Sequence, residues 1–174
     1  MFKRTMLAAA VVVFTLLSSG CGQKSAVENK IKNELEKSVG GDVSVEVGEN
    51  KINIQTEQGS LQVGGKVTLP KNFPSDVYII DGELMSAMNN VGTPGFQIAI
   101  KSSLSLAEAS KLYQTKLKEQ GWKILKAMDI GTASIVMAQK DNRQLTVTMG
   151  TEAGREGLAV MLNLVDEKFP SPGY

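Results

Sequence analysis

The sequence predicts an α+β fold in which a mainly antiparallel sheet grips one long helix, preceded by a small helix and a three-stranded meander. Three observations carry this prediction. Apolar and polar residues alternate from Val43 to Val63, four alternating stretches follow one another between residues 122 and 165, and an amphipathic helical pattern lies between the two sets. One helix inserted among sequential strands with short turns is typical of this class.

Residues 27–66 are predicted to form a small αβββ module. Ser25 and Glu28 have the spacing of a capping box, which predicts that a helix starts at Ser25. A narrow apolar stripe follows on this helix: Val27, Ile31 and Leu35. The segments "GEN" and "EQG" then separate three alternating stretches, which predicts a meander with one apolar face that the helix can cover.

A connector is predicted over residues 67–76, where Pro70 and Pro74 favour extended backbone. The second block, residues 77–166, is predicted to open with a strand that starts at Asp76 and another near Met85. The alternation of apolar residues from Phe96 to Ile100 predicts the next strand.

The long helix has the strongest local signals in the chain. Ser105 and Glu108 form a capping box, Gly121 suits the left-handed position after a helix, and Trp122 can make the hydrophobic contact that follows it. The predicted apolar face consists of Leu106, Ala109, Leu112, Tyr113 and Leu117. Four strands are predicted next, over Trp122–Met128, Ala133–Gln139, Arg143–Met149 and Leu158–Val165, and residues 167–174 are predicted as a loose tail.

The first 20 residues have the pattern of a secretory signal peptide. Lys3 and Arg4 precede a run of 12 largely apolar residues, Met6–Leu17, and small residues follow it. The run is shorter than the roughly 20 apolar residues that a membrane-spanning helix needs. Cys21, the only cysteine of the 174 residues, stands directly after Ser18, Ser19 and Gly20.

This arrangement resembles the bacterial lipobox, in which a peptidase cleaves before a cysteine that carries diacylglycerol. Ser19 and Gly20 match the family pattern, whereas Ser18 stands where leucine is usual. The resemblance implies that Cys21 is the lipidation site and that residues 21–26 form a lipidated tether. Gly22 in the next position implies the outer membrane, facing the periplasm, if the cell has two membranes. The alternative is an ordinary secreted protein with an incidental cysteine near its cleavage site.

Composition narrows the classes of function. The sequence has no histidine, so Ser-His-Asp and Cys-His catalysis are excluded. Lys3 and Arg4 lie within residues 1–20, which leaves 17 basic against 18 acidic residues and a net charge of −1. This nearly equal balance of charges provides no basic surface of the kind that binds nucleic acid. We therefore expect no enzymatic activity, no cofactor, no metal and no nucleic-acid partner.

A second resemblance concerns residues 27–165. The segments "FP", "DV", the S-x-x-E helix with "KLY" and "GW", and "KDNRQLTVTM" resemble a module that recurs in uncharacterised bacterial envelope lipoproteins. The shared motifs are caps and turns, so the resemblance implies a fold and an envelope location, and it brings no catalytic residues.

Other candidate sites have simpler structural interpretations. Asp76, Asp81 and Glu83 could bind a hard cation or act as a hydrolase carboxylate pair, but solvated turn acids are the favoured interpretation. The loop "GTEAGREG" lacks the P-loop pattern and is interpreted as a hairpin loop. Tyr113 and Trp122 are interpreted as packing residues rather than binding anchors. Six methionines, Met85, Met88, Met128, Met137, Met149 and Met161, are interpreted as core filling, with an adaptable ligand pocket as the alternative.

Three functions are compatible with these features of the sequence. The first is a membrane-tethered, non-enzymatic module that binds an envelope protein, for which the edges of the meander could accept a strand. The second is a carrier or sensor of a small apolar ligand held between helix and sheet. The third is a hydrolase that uses only carboxylates.

Overall fold

A computed structural model describes residues 24–39, 41–57, 59–89, 95–151 and 156–166. The predicted signal peptide, Cys21, the tail 167–174 and four of the eight residues of the loop "GTEAGREG" lie outside the described residues. The elements are α1 (Lys24–Val39), β1 (Val43–Val47), β2 (Ile52–Thr56), β3 (Ser60–Val63), β4 (Glu83–Asn89), β5 (Phe96–Ser102), α2 (Leu106–Glu119), β6 (Lys123–Ile130), β7 (Ala133–Lys140), β8 (Arg143–Thr151) and β9 (Leu158–Asp166).

All nine strands form one antiparallel sheet in the order β1-β2-β3-β4-β5-β9-β8-β7-β6. The pairing of β3 with β4 joins the meander to the rest of the sheet. The molecule is therefore mainly β, with an antiparallel sheet and two helices in the described part of the chain. Neither of these helices has the length and apolar character that crossing a bilayer requires.

The predicted end signals of α2 are confirmed. The Ser105 hydroxyl accepts a hydrogen bond from the Glu108 N–H, and the Glu108 carboxylate accepts one from the Ser105 N–H at 3.1 Å. At the other end Gly121 has a φ of 83°, and the Trp122 N–H donates to the Leu117 carbonyl at 2.9 Å. These two contacts satisfy backbone groups that a helix end would otherwise leave unpaired.

The predicted cap of α1 is wrong, because the described helix already includes Lys24. Ser25 thus lies inside the helix, and the predicted tether over 21–26 overlaps its first turn. The Glu28 carboxylate accepts a hydrogen bond from the N–H of Val47 on β1 at 2.9 Å. Glu28 therefore ties the helix to the first strand, and this tertiary contact replaces the local one that the sequence suggested.

The strand predicted from Asp76 is also wrong. Residues 64–82 contain no helix or strand, although Val77 and Ile80 are buried in the main core. Strand β4 is already paired on both sides, with β3 and with β5, so no edge is free there for another strand. We call residues 64–82 the connecting segment. Phe73 of this segment packs edge-on against Phe96, with ring centroids 5.3 Å apart.

The apolar face of the sheet changes side at β4. In the meander Val45, Ile54 and Leu61 share a face and belong to a small cluster with Ile31 of α1. Leu61 is the register partner of Met88, whereas the neighbouring Ala87 belongs to the main core beneath α2. Because successive residues of a strand point to opposite faces, α1 and α2 lie on opposite sides of one sheet.

Candidate functional site

The interface between α2 and the sheet is tightly filled by side chains. Ala109, Tyr113 and Leu117 of the helix are completely buried, as are Val136 and Val147 of the strands below them. This arrangement confirms the packing interpretation of Tyr113, and Trp122 is buried as well. Neither aromatic side chain is therefore available on the surface as a binding anchor.

The Tyr113 hydroxyl is the unusual polar atom of this interface. The ring of Tyr113 packs edge-on against Tyr78 of the connecting segment, with centroids 5.4 Å apart. The hydroxyl lies near the backbone of Ile80 but makes no well-formed hydrogen bond with a described residue. Burial raises the pKa of Tyr113 well above its ordinary value, so the hydroxyl stays protonated.

Two buried serines also interrupt the apolar interface. Ser110 of α2 and Ser134 of β7 occupy positions that face the core, and the Ser134 hydroxyl donates to the Ser110 oxygen at 3.0 Å. Neither serine was predicted from the sequence as part of a site. The available signal was a polar residue within an apolar pattern: Ser110 follows Ala109 on the buried side of the helix, and Ser134 alternates with Val136 and Ala138.

The face of the sheet opposite α2 is open over β5 to β9. Met161 of β9 is 55% exposed, and Ile130 at the end of β6 is 59% exposed. We define the open face by ten residues: Gln97, Ala99, Met128, Ile135, Met137, Thr146, Thr148, Ala159, Met161 and Asn163. None of the ten is charged, but two exposed lysines share this face at its margins: Lys101 is opposite Ala159, and Lys126 is opposite Met137.

Three of the six methionines named in the sequence analysis lie on the open face. In the register Met161 is opposite Thr148, Thr148 is opposite Ile135, and Ile135 is opposite Met128. Met137 lies in the next row, opposite Thr146. The core interpretation is right for Met149, which is completely buried, and wrong for Met161 and for Met85 of β4, which is 42% exposed. Alternation along the strand is the same for Met149 and Met161, but α2 covers only one face.

The two edges of the sheet carry features that discourage strand addition. At β1 the Val47 N–H is engaged by Glu28. At β6 the pairing with β7 is irregular between Ile124 and Lys126. Bulges, lysines and covered backbone groups are the usual devices that protect edge strands.

The predicted acidic cluster is dispersed in the structure. Asp76 is not a solvated turn acid, because both of its carboxylate oxygens accept hydrogen bonds from Arg143, at 2.8 and 2.7 Å. Lys140 Nζ lies 2.7 Å from the same carboxylate. Asp81 and Glu83 are exposed. Within the part of the chain that the structure describes, no group of three or more His, Cys, Asp or Glu residues is arranged to hold a metal ion.

Comparison with protein families found a match to part of the chain. Residues 83–158 are similar to a family model described as START domain-like. The matched span runs from β4 to the first residue of β9, so it contains α2 and the strands on which that helix packs. Comparison with curated proteins and with solved structures found no match in either case.

Proposed function

We propose that this chain is a membrane-anchored bacterial lipoprotein that acts as a non-enzymatic binding module in the cell envelope, on an α+β scaffold whose sheet grips α2. Cys21, which follows a short apolar run and three small residues, is the proposed lipid attachment site. Two or more acyl chains hold a protein stably at a membrane. In a cell with two membranes, Gly22 favours the outer membrane, with the protein facing the periplasm.

The observation that carries the binding role is the open face. Its ten defining residues are uncharged, three of them are methionines, and Met161 is its most exposed large apolar side chain. Methionine side chains are flexible and polarisable, and they are common on surfaces that adapt to a partner. Exposed apolar side chains grouped on an uncovered part of a sheet are typical of a protein-binding surface. The partner proposed here is therefore an envelope protein that docks on the face rather than on an edge strand.

Crosslinking in intact cells tests this role. A photo-crosslinking amino acid at position 161 should yield one defined adduct, whereas the same group at Gln55, an exposed residue of β2, should yield none. Equal adduct patterns from both positions, or no adduct from position 161, would contradict the proposed docking face.

A second candidate function is the carriage or sensing of a small apolar ligand between α2 and the sheet. The similarity of residues 83–158 to a START domain-like family and the unpaired Tyr113 hydroxyl favour it. The interface is filled by side chains, so α2 or the connecting segment would have to move aside. Native mass spectrometry of protein purified without detergent tests this function. A bound mass that is lost in Tyr113→Phe supports it, and ligand-free protein from several preparations contradicts it.

A further inference from the structure

A cleft of about 270 Å³ lies between the solvent-facing flank of α2 and β6. Ala107, Lys111, Gln114 and Lys118 line the helix side, and Asp129 lines the strand side. The helical residues are spaced by three or four positions, so they form one stripe along α2. The small side chain of Ala107 leaves the space between them open. This volume holds about nine water molecules at roughly 30 Å³ each, which is enough for a short peptide or an amino acid.

The floor of the cleft is formed by a buried polar side chain and not by exposed surface groups. Ser110, which lines the cleft, is only 4% exposed, and it accepts a hydrogen bond from Ser134, which is completely buried. Gln114 Nε2 donates to the same oxygen at 3.4 Å. The remaining proton of Ser110 points to Asp129 Oδ1, also at 3.4 Å. Such long contacts are weak, so a ligand that offers a better partner can replace them at little cost.

Side chains of both charges line the cleft, and they form no ion pairs with described residues. Lys111 and Lys118 form no ion pair with any described residue, in contrast to Lys116 of the same helix, which pairs with Glu119 at 2.8 Å. Asp129 likewise has no described cation within salt-bridge distance. Two ammonium groups without a described ion-pair partner therefore lie on the helix side of the cleft, and one carboxylate, whose contact is the Ser110 hydroxyl at 3.4 Å, lies on the strand side.

We propose that this cleft binds a small zwitterion of the amino-acid or short-peptide class. The ligand's carboxylate lies between Lys111 and Lys118, its ammonium group faces Asp129, and Ser110 and Gln114 provide hydrogen bonds to its polar backbone. The site is on the opposite side of the sheet from the open face, so it is independent of the proposed docking surface.

Titration by two-dimensional NMR of the ¹⁵N-labelled protein tests the site with three matched probes. Alanyl-alanine carries both charges, N-acetyl-alanyl-alanine carries only the carboxylate, and alanyl-alanine amide carries only the ammonium group. We expect saturable shifts at Ser110, Gln114 and Asp129 with alanyl-alanine. Each single-charge probe should bind about two- to fivefold more weakly, as expected for the loss of one exposed ion pair.

Two variants distinguish a specific site from general attraction. Asp129→Asn should weaken alanyl-alanine and leave N-acetyl-alanyl-alanine unchanged, whereas Lys118→Met should weaken alanyl-alanine and leave the amide unchanged. Asp42→Asn, at an exposed residue before β1, is the control and should change neither. The proposal is overturned if alanyl-alanine gives no saturable shift at these residues, if the three probes bind alike, or if the control variant weakens binding as much as Asp129→Asn.

Discussion

Arg143 and Asp76 join the connecting segment to the hairpin between β7 and β8. Arg143 donates two parallel hydrogen bonds to the carboxylate, and its guanidinium lies 5.1 Å from the centre of the Trp122 ring. The Trp122 indole N–H in turn donates to the Asp76 backbone carbonyl. Three parts of the chain that are distant in sequence thus meet around one carboxylate, next to the end of α2.

Removal of this carboxylate should destabilise the fold. In Asp76→Ala the Arg143 and Lys140 side chains, which are 21% and 26% exposed, lose their shared carboxylate while still partly buried, and they keep only Asp141 at 3.8 Å and the Gln120 carbonyl, respectively. We expect the free energy of unfolding to fall by about 1–3 kcal/mol, between the values for exposed and buried ion pairs. Urea denaturation measures this loss. Asp42→Ala, at an exposed position, should change it by less than about 0.5 kcal/mol, and equal losses in both variants would contradict the role of Asp76.

The same pair should produce a pH dependence. Hydrogen bonds from Arg143 hold the pKa of Asp76 well below its ordinary value in the folded protein. The stabilisation is therefore complete above the unfolded pKa of about 4, and it is lost as the pH falls toward the folded pKa. The difference in unfolding free energy between the wild type and Asp76→Asn should shrink from pH 6 to the acid limit, about pH 2. A difference that is constant over this range would exclude the ionised Asp76 as its source.

Gly121 should be required for its backbone conformation and not for space. A Cβ at this position would meet only the end of the Lys140 side chain, at 3.7 Å, which is an ordinary contact. Gly121→Ala should therefore lower the unfolding free energy by about 1 kcal/mol, the cost of a left-handed φ for a residue with a side chain. Gly121→Asn should lose less, because asparagine tolerates this conformation better. Thermal denaturation of the two variants compares them, and a larger loss for asparagine would indicate a steric cause.

Lipidation should depend on Cys21. In cells supplied with radiolabelled fatty acid, the wild-type protein should be labelled and Cys21→Ser should not, because serine has no thiol for thioether formation. Ser19→Ala retains a small residue before the cysteine, so it should still be labelled. Incorporation into Cys21→Ser at the wild-type level would refute the anchor.

A charge on the open face should abolish docking without unfolding the protein. Met161→Glu places a carboxylate at a position that is more than half exposed, so the free energy of unfolding should change by less than about 0.5 kcal/mol. Adducts from a crosslinker at Thr148, the register partner of Met161, should disappear in this variant. They should persist in Gln55→Glu, which makes the same charge change elsewhere on the sheet. Persistence in both variants would place the partner somewhere else.

Local signals in the sequence predicted the parts of the fold that depend on local contacts. Ser105, Glu108 and Gly121 define the ends of α2 through bonds that span three to five residues, and all three are confirmed. The strands β7, β8 and β9 were predicted within two residues of their ends because apolar and polar residues alternate along each of them.

Features that depend on the order of the strands were not predicted. The apolar run after Asp76 has the composition of a strand, yet Val77 and Ile80 are buried in the core as parts of an irregular segment. A strand at this point would need a free edge of β4, but β4 pairs with both β3 and β5. Likewise, alternation shows that Met161 and Met149 lie on particular faces of their strands, but it does not indicate which face a helix covers.

The switch of the apolar face at β4 has a consequence for how the molecule loses structure. The meander and α1 enclose a cluster with three buried apolar residues, Ile31, Val43 and Ile54, whereas the core beneath α2 is several times larger. The two cores lie on opposite sides of the sheet. The backbone hydrogen bonds between β3 and β4 couple them. Regions with few buried contacts open at lower free energy than the rest of a protein. Amide hydrogens of β1 and β2 should consequently exchange with deuterium ahead of those in β8 and β9, so the N-terminal part of the sheet can open while the larger core stays intact.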